Sequence, residues 1–82
     1  MADSYDNVLN RLIALIIRVL NRNVPLSEET ALQADVGMTS LQVMELVLEI
    51  EEEFDISFPL NRLPDIRSLG ELSQEIVTLL DQ

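Results

Sequence analysis

DVGMTSLQVMELVLEIEEEF, residues 35–54, begins as a helix start and continues as an apolar helix with acids down one side. Thr39 and Gln42 fit a Thr-x-x-Gln capping box, in which each side chain satisfies the other's backbone N–H. Gly37, just ahead, supplies a backbone that can turn tightly. Together they predict a helix over residues 40–54. At about 100° per residue, Gln42, Glu45, Glu49, Glu52 and Glu53 share an arc of roughly 100°. Leu41, Val43, Met44, Leu46, Val47, Leu48, Ile50 and Phe54 occupy the rest, interrupted only by Glu51. An apolar arc that wide predicts burial on two sides, against more than one neighbouring helix.

The acidic arc is locally unfavourable. Glu45 with Glu49, and Glu49 with Glu53, are like charges four apart, each costing about 0.2–0.5 kcal/mol in an isolated helix. Glu51 to Glu53 crowd the C-terminal end, where the helix dipole disfavours anions. No basic residue in this helix offsets them. A solvated face usually mixes charges, so a one-sign face predicts a surface kept for cationic partners. Ser40 has two readings from chemistry alone. It is a small polar residue in a capped first turn, or a point where an attached phosphate would meet free N–H groups and the positive end of the dipole.

Working outward, Leu9, Leu12, Ile13, Ile16, Ile17 and Leu20 recur at helical spacing and predict a first helix over residues 6–22, with Ser4 or Asp6 as its cap. Arg11, Arg18 and Arg22 fall on its other side, as a solvated stripe. Residues 23–39 form a long connection pinned by Leu26, Leu32 and Val36, with a helical turn at Ser27 to Leu32. After residue 54 the two prolines of DISFPLNRLPDIR predict irregular chain with a short turn at Leu60 to Leu63. Ser68 and Glu71 form a second capping box, opening a last helix to Leu80 with Leu69, Leu72, Ile76, Leu79 and Leu80 as its stripe. The expected fold is all-α: one domain over residues 1–82, a three-to-four-helix bundle with a long first loop.

Composition narrows the chemistry. The 82 residues are 48% apolar, with fifteen acids, five arginines and a net charge of −10. Cys, His and Lys are all absent. That removes disulfides, thiolate chemistry, a Ser-His-Asp triad and a zinc hydrolase site. It also leaves Ser40 with no His or Lys to activate it as an enzymatic nucleophile. Strong net acidity argues against nucleic acid or an anionic membrane as partner and favours proteins with basic patches. The apolar run Leu12–Leu20 is too short to span a bilayer, and MADSYD lacks a signal-peptide n-region. The expectation is a free-standing cytoplasmic monomer.

Gly37-Met38-Thr39-Ser40-Leu41, then Glu45-Leu46-Val47, then Ile50-Glu51-Glu52-Glu53-Phe54-Asp55-Ile56 with Pro59 beyond, resembles the acyl carrier protein family. The resemblance is sharpest over residues 35–59 and extends over most of the chain. It implies a bundle of acyl-carrier-protein type, with 4′-phosphopantetheine attached to Ser40 by a separate phosphopantetheinyl transferase using coenzyme A. The arm's thiol would hold an acyl or aminoacyl group as a thioester, an imported thiol in a chain without Cys. The chain itself would catalyse nothing. Its implied partners are that transferase, an acyl- or aminoacyl-loading ligase or transferase, and synthase enzymes with basic docking patches. Thr39, Leu41, Met44, Glu45, Glu51 and Glu52 match positions that meet those partners. Met44, Val47, Leu48, Phe54, Ile56 and Leu63 are candidates to line an acyl pocket.

Two positions depart from the family pattern. Thr39 stands where the family usually has an Asp that helps hold the metal ion and the synthase during modification. Gln42 stands where fatty-acid carriers commonly have Asp. With the absence of Lys and the segment Phe58-Pro59-Leu60-Asn61-Arg62, these point to a dedicated carrier in a specialised pathway, such as polyketide or other secondary-metabolite assembly. The alternatives are a stand-alone aminoacyl or peptidyl carrier, and an acidic helical interaction module that is never modified.

Overall fold

A computed structural model of the chain describes residues 4–81; the expectations for the first three residues and for Gln82 lie outside these. Three α-helices and a 3-10 helix follow one another, with no strand among the described residues: α1 (Tyr5–Leu20), α2 (Ser40–Phe54), the 3-10 helix (Leu60–Asp65) and α3 (Leu69–Leu80). The expected bundle with a long first loop is what forms.

α1 starts where the Ser4 hydroxyl accepts the Asn7 N–H, so Ser4 and not Asp6 is the cap. It stops two residues earlier than the spacing predicts. Asn21 turns left-handed (φ 57°) and its N–H returns to the Ile17 carbonyl, a conformation that Asn tolerates better than most side chains. The buried stripe is Val8, Leu12, Leu15 and Ile16, while Leu9, Ile13, Ile17 and Leu20 are half-buried. The stripe sits there because α1 is the central helix and packs against both α2 and α3. Leu46, Val47, Ile50 and Phe54 of α2 and Leu69, Leu72 and Ile76 of α3 close on it, joined by Met38 and Phe58.

Both capping boxes form. The Thr39 hydroxyl accepts the Gln42 N–H at 3.1 Å while the Gln42 side-chain Oε1 accepts the Thr39 N–H at 3.0 Å. Ser68 and Glu71 do the same at the start of α3. α2 ends at Asp55, which is left-handed (φ 55°). Beyond it, the Glu51 carboxylate accepts the Phe58 N–H at 2.9 Å and fixes the exit of the chain. The expected turn at Leu60 to Leu63 is a 3-10 helix reaching Asp65, as suits a segment in which Pro64 has no N–H to give.

The first loop is well tied down. Instead of one turn over residues 27–32, it makes a turn at 27–30 and a second winding over 31–38, where Asp35, Gly37 and Met38 donate N–H groups to Ala31, Gln33 and Leu32. Gly37 is left-handed (φ 78°), which is what lets the chain reverse into the Thr39 cap. The loop is fastened to α3 by Leu69 N–H to Thr30 carbonyl (2.9 Å) and Gly70 N–H to Glu28 carbonyl (2.8 Å). A Cβ on residue 70 would lie 3.0 Å from that carbonyl and 2.9 Å from the Tyr5 hydroxyl. Tyr5 donates to the Glu28 carboxylate (2.6 Å), which raises the phenol's pKa above its ordinary 10.0. The neutral donor therefore persists at physiological pH, and the tether is lost only as pH rises through that raised value.

One buried group works against the fold. The Ser73 hydroxyl in α3 is fully buried and has no hydrogen-bond partner among the described residues. A buried unpaired hydroxyl costs desolvation with nothing in return. Ser73→Ala, which also improves helix propensity, is expected to stabilise the chain by about 1 kcal/mol. Thermal unfolding checks this, and a lower midpoint would contradict it.

Candidate functional site

Ser40 is the first residue of α2 and is exposed. The cap above it belongs to Thr39, so the Ser40 hydroxyl is not needed to hold the helix start. The Ser40 and Leu41 N–H groups find no protein acceptor among the described residues, as expected in a first helical turn. An exposed hydroxyl, free N–H groups and the positive end of α2 together suit an attached phosphate. Thr39 and Gln42, the two departures from the family pattern, bond to each other across this turn.

Ser40 also stands on the lining of an apolar cavity of about 580 Å³. The first loop contributes residues 31–34, α2 contributes Val43 and Met44 beside Ser40, and the far wall holds Leu63, Pro64, Ile66, Arg67 and Leu72. Of the pocket residues expected from the sequence, Met44 and Leu63 line it. Val47 and Phe54 are core, Leu48 is 60% exposed, and Ile56 is half-buried elsewhere. The loop residues, Val43, Ile66 and Arg67 had not been expected there. A pocket wall assembled from a folded-back loop leaves no periodic trace in sequence.

The outer face of α2 differs from expectation in two ways. First, it is not buried on two sides. Leu41 is 71%, Leu48 60% and Met44 40% exposed. α1 is the helix that α2 packs against most closely, and Leu41 and Leu48 on its other side stay exposed among the described residues. Second, the acids divide. Arg11 holds Glu53, with Nη2 2.9 Å and Nε 3.0 Å from one carboxylate oxygen, and it also reaches the Glu53 carbonyl. Its guanidinium lies 4.5 Å from the centre of the Phe54 ring, close enough for cation–π attraction. Arg18 pairs with Glu49. The arginine stripe of α1 is therefore not simply solvated, and it offsets the repulsion along α2. Glu51 is half-buried and bonded to Phe58.

Glu45 and Glu52 are the acids of α2 that remain exposed and without a partner among the described residues. At 100° per residue they share an arc of about 100° with Leu41, Met44 and Leu48. Beside Ser40 the helix thus presents one mixed face, apolar with two free carboxylates. No cluster of acids able to hold a metal ion occurs among the described residues, and no helix there is long and apolar enough to cross a membrane.

Comparison with known proteins agrees with this architecture. Residues 10–76 match the family described as "Phosphopantetheine attachment site". A Caulobacter vibrioides protein named "Probable acyl carrier protein" is 39% identical over 59 residues, covering 72% of this chain and 69% of its own. Aminoacyl carrier protein 1 of Bradyrhizobium diazoefficiens is 32% identical over 78 residues, covering 90% of this chain and 87% of its own. The solution structure of a holo acyl carrier protein from Geobacter metallireducens shares the fold, with a TM-score of 0.79 at 24% identity over 90% of this chain and 86% of that one. The chain belongs to the acyl carrier protein family, non-catalytic carriers whose 4′-phosphopantetheine group is held covalently on a serine.

Proposed function

We propose that Ser40 is the attachment serine, and that the chain is a cytoplasmic acyl carrier serving a specialised pathway. The observation that carries this is the position of Ser40: an exposed hydroxyl at the start of α2, not used in capping, on the rim of a cavity of about 580 Å³. When bound, the group supplies the thiol that the chain lacks, and cargo is held on it as a thioester. The chain's own residues do the rest. Thr39 and Gln42 fix the turn that presents Ser40, and the free N–H groups of Ser40 and Leu41 would be available to the phosphate linkage. The cavity shelters apolar cargo from water.

Partners meet the outer face of α2. Leu41, Met44 and Leu48 offer apolar contact beside Ser40, and Glu45 and Glu52 attract basic patches. Thr39 lies at the edge of this face, where a transferase must approach Ser40. Glu51 contributes less than the resemblance implies, because its carboxylate is engaged by Phe58. The departures at Thr39 and Gln42 favour a dedicated carrier over a housekeeping one. A second reading, an aminoacyl carrier, is favoured by the 32% identity to aminoacyl carrier protein 1 across nearly the whole chain.

Incubation with coenzyme A, magnesium and a broad-specificity phosphopantetheinyl transferase, followed by intact mass, tests the assignment. One added phosphopantetheine group is expected. No addition to this chain or to its Thr39→Asp variant, while another carrier is modified in parallel, would contradict it.

A further inference from the structure

Arginine use in this chain is uneven. Arg11 and Arg18 pair with Glu53 and Glu49, Arg62 pairs with Glu75 at 3.3 Å, and Arg22 donates to the Val36 carbonyl. Arg67 alone has a side chain with no hydrogen bond or ion pair among the described residues. The chain has fifteen acids, yet none among the described residues pairs with it. The nearby Glu71 carboxylate is turned to the backbone, accepting the Arg67 and Ser68 N–H groups at 2.7 and 3.2 Å.

Arg67 is also the one charged residue on the lining of the cavity that begins at Ser40. Gln33 and Ser40 are polar there, and most of the rest is apolar. The two ends of interest come from different walls. Ser40 belongs to α2, and Arg67 to the segment between the 3-10 helix and α3.

Resting on the assignment of Ser40 above, we propose that Arg67 is a specificity-determining residue that selects acyl cargo bearing a carboxylate. A net charge of −10 disfavours any anion near this molecule. An acyl chain ending in a carboxylate would be excluded from an apolar cavity unless a cation met it there. Arg67, solvent-exposed at the edge of that lining, supplies that cation, and its planar fork suits a carboxylate. A phosphate linked at Ser40 would be met by the free N–H groups of the first turn of α2, which leaves Arg67, on the other wall, for a carboxylate carried beyond the pantetheine arm.

The test compares three loaded forms of the full chain: holo, hexanoyl and adipyl, the last two with the same number of carbons. Each is prepared from the corresponding coenzyme A compound with a phosphopantetheinyl transferase. The readouts are the Arg67 Nε–Hε resonance and the rate of thioester cleavage by hydroxylamine, in wild type and Arg67→Gln. The Arg67 resonance should move in the adipyl form and stay in place in the holo and hexanoyl forms. Arg67→Gln should speed cleavage of the adipyl thioester by about threefold, within the range of a partly exposed ion pair, and leave hexanoyl cleavage unchanged. A resonance that does not move with adipyl, or one that already moves in the holo form, overturns the proposal; the latter would assign Arg67 to the phosphate. Absence of added mass on this chain and on its Thr39→Asp variant, with another carrier modified in parallel, would remove the Ser40 assignment, and this proposal with it. Added mass with equal cleavage rates in both proteins would overturn the Arg67 proposal alone.

Discussion

Ser40→Ala is expected to take up no phosphopantetheine while folding as the wild type does. The loss should be complete, because no other serine resembles this one. Ser4 and Ser68 spend their hydroxyls as caps, Ser27 bonds within a turn with Thr30, and Ser73 is buried. Ser57 is exposed but lies in irregular chain after α2, away from any helix start. Stability should stay within about 0.5 kcal/mol, since the substitution is at the surface and Ala is a good helix former. Thr39→Ala should behave in the opposite way. It removes the cap and should cost about 1 kcal/mol, while the Ser40 hydroxyl remains. Thr39→Asp retains a capping oxygen and places a carboxylate in the favourable field of the first turn. It should raise the rate of modification by a general transferase. Circular dichroism and intact mass, measured side by side, separate these effects.

Charge reversal on α2 should divide into two classes. Glu45→Arg or Glu52→Arg should weaken binding to a modifying or loading enzyme by about tenfold, about 1.4 kcal/mol, with unchanged helicity. Both carboxylates are exposed and lie in the same arc as Leu41, Met44 and Leu48. Glu49→Gln and Glu53→Gln should leave binding nearly intact and instead destabilise the fold by about 0.5–1 kcal/mol each. These two hold Arg18 and Arg11 of α1, so their loss is felt between the helices. The binding effect should shrink as salt rises, because exposed charges are screened. Titration of each variant against the transferase, with unfolding curves alongside, checks both halves. Equal binding by all four variants would remove the outer face of α2 as the docking surface.

Much of this was legible in the sequence, and the misses share one cause. The two capping boxes were readable because they are local: Thr39 with Gln42, and Ser68 with Glu71, satisfy one another within a single turn. The helices followed from periodicity, and the flanking motif singled out Ser40 as the candidate. What stayed hidden was every relation between segments distant in the chain. The acids of α2 look uniform on a helical wheel, yet α1 captures Glu49 and Glu53 and leaves Glu45 and Glu52 free. The apolar arc looked like core on two sides, yet Leu41 and Leu48 face outward because α1, not α2, is the central helix. The cavity wall from residues 31–34 depends on contacts distant in sequence, among them the carbonyls of Glu28 and Thr30 that fasten the loop to Gly70 and Leu69. The reading as an unmodified interaction module fails against the family match, which implies a prosthetic group on a serine.

The central claim is that one serine, Ser40, carries the arm. The most direct measurement is fragmentation mass spectrometry of the protein purified from its own cells, reading which residue bears phosphopantetheine. A single modified position, Ser40, is expected, with Ser27 and Ser57 unmodified on neighbouring sequence. Phosphopantetheine on any other serine, or a native protein that carries none, would contradict it.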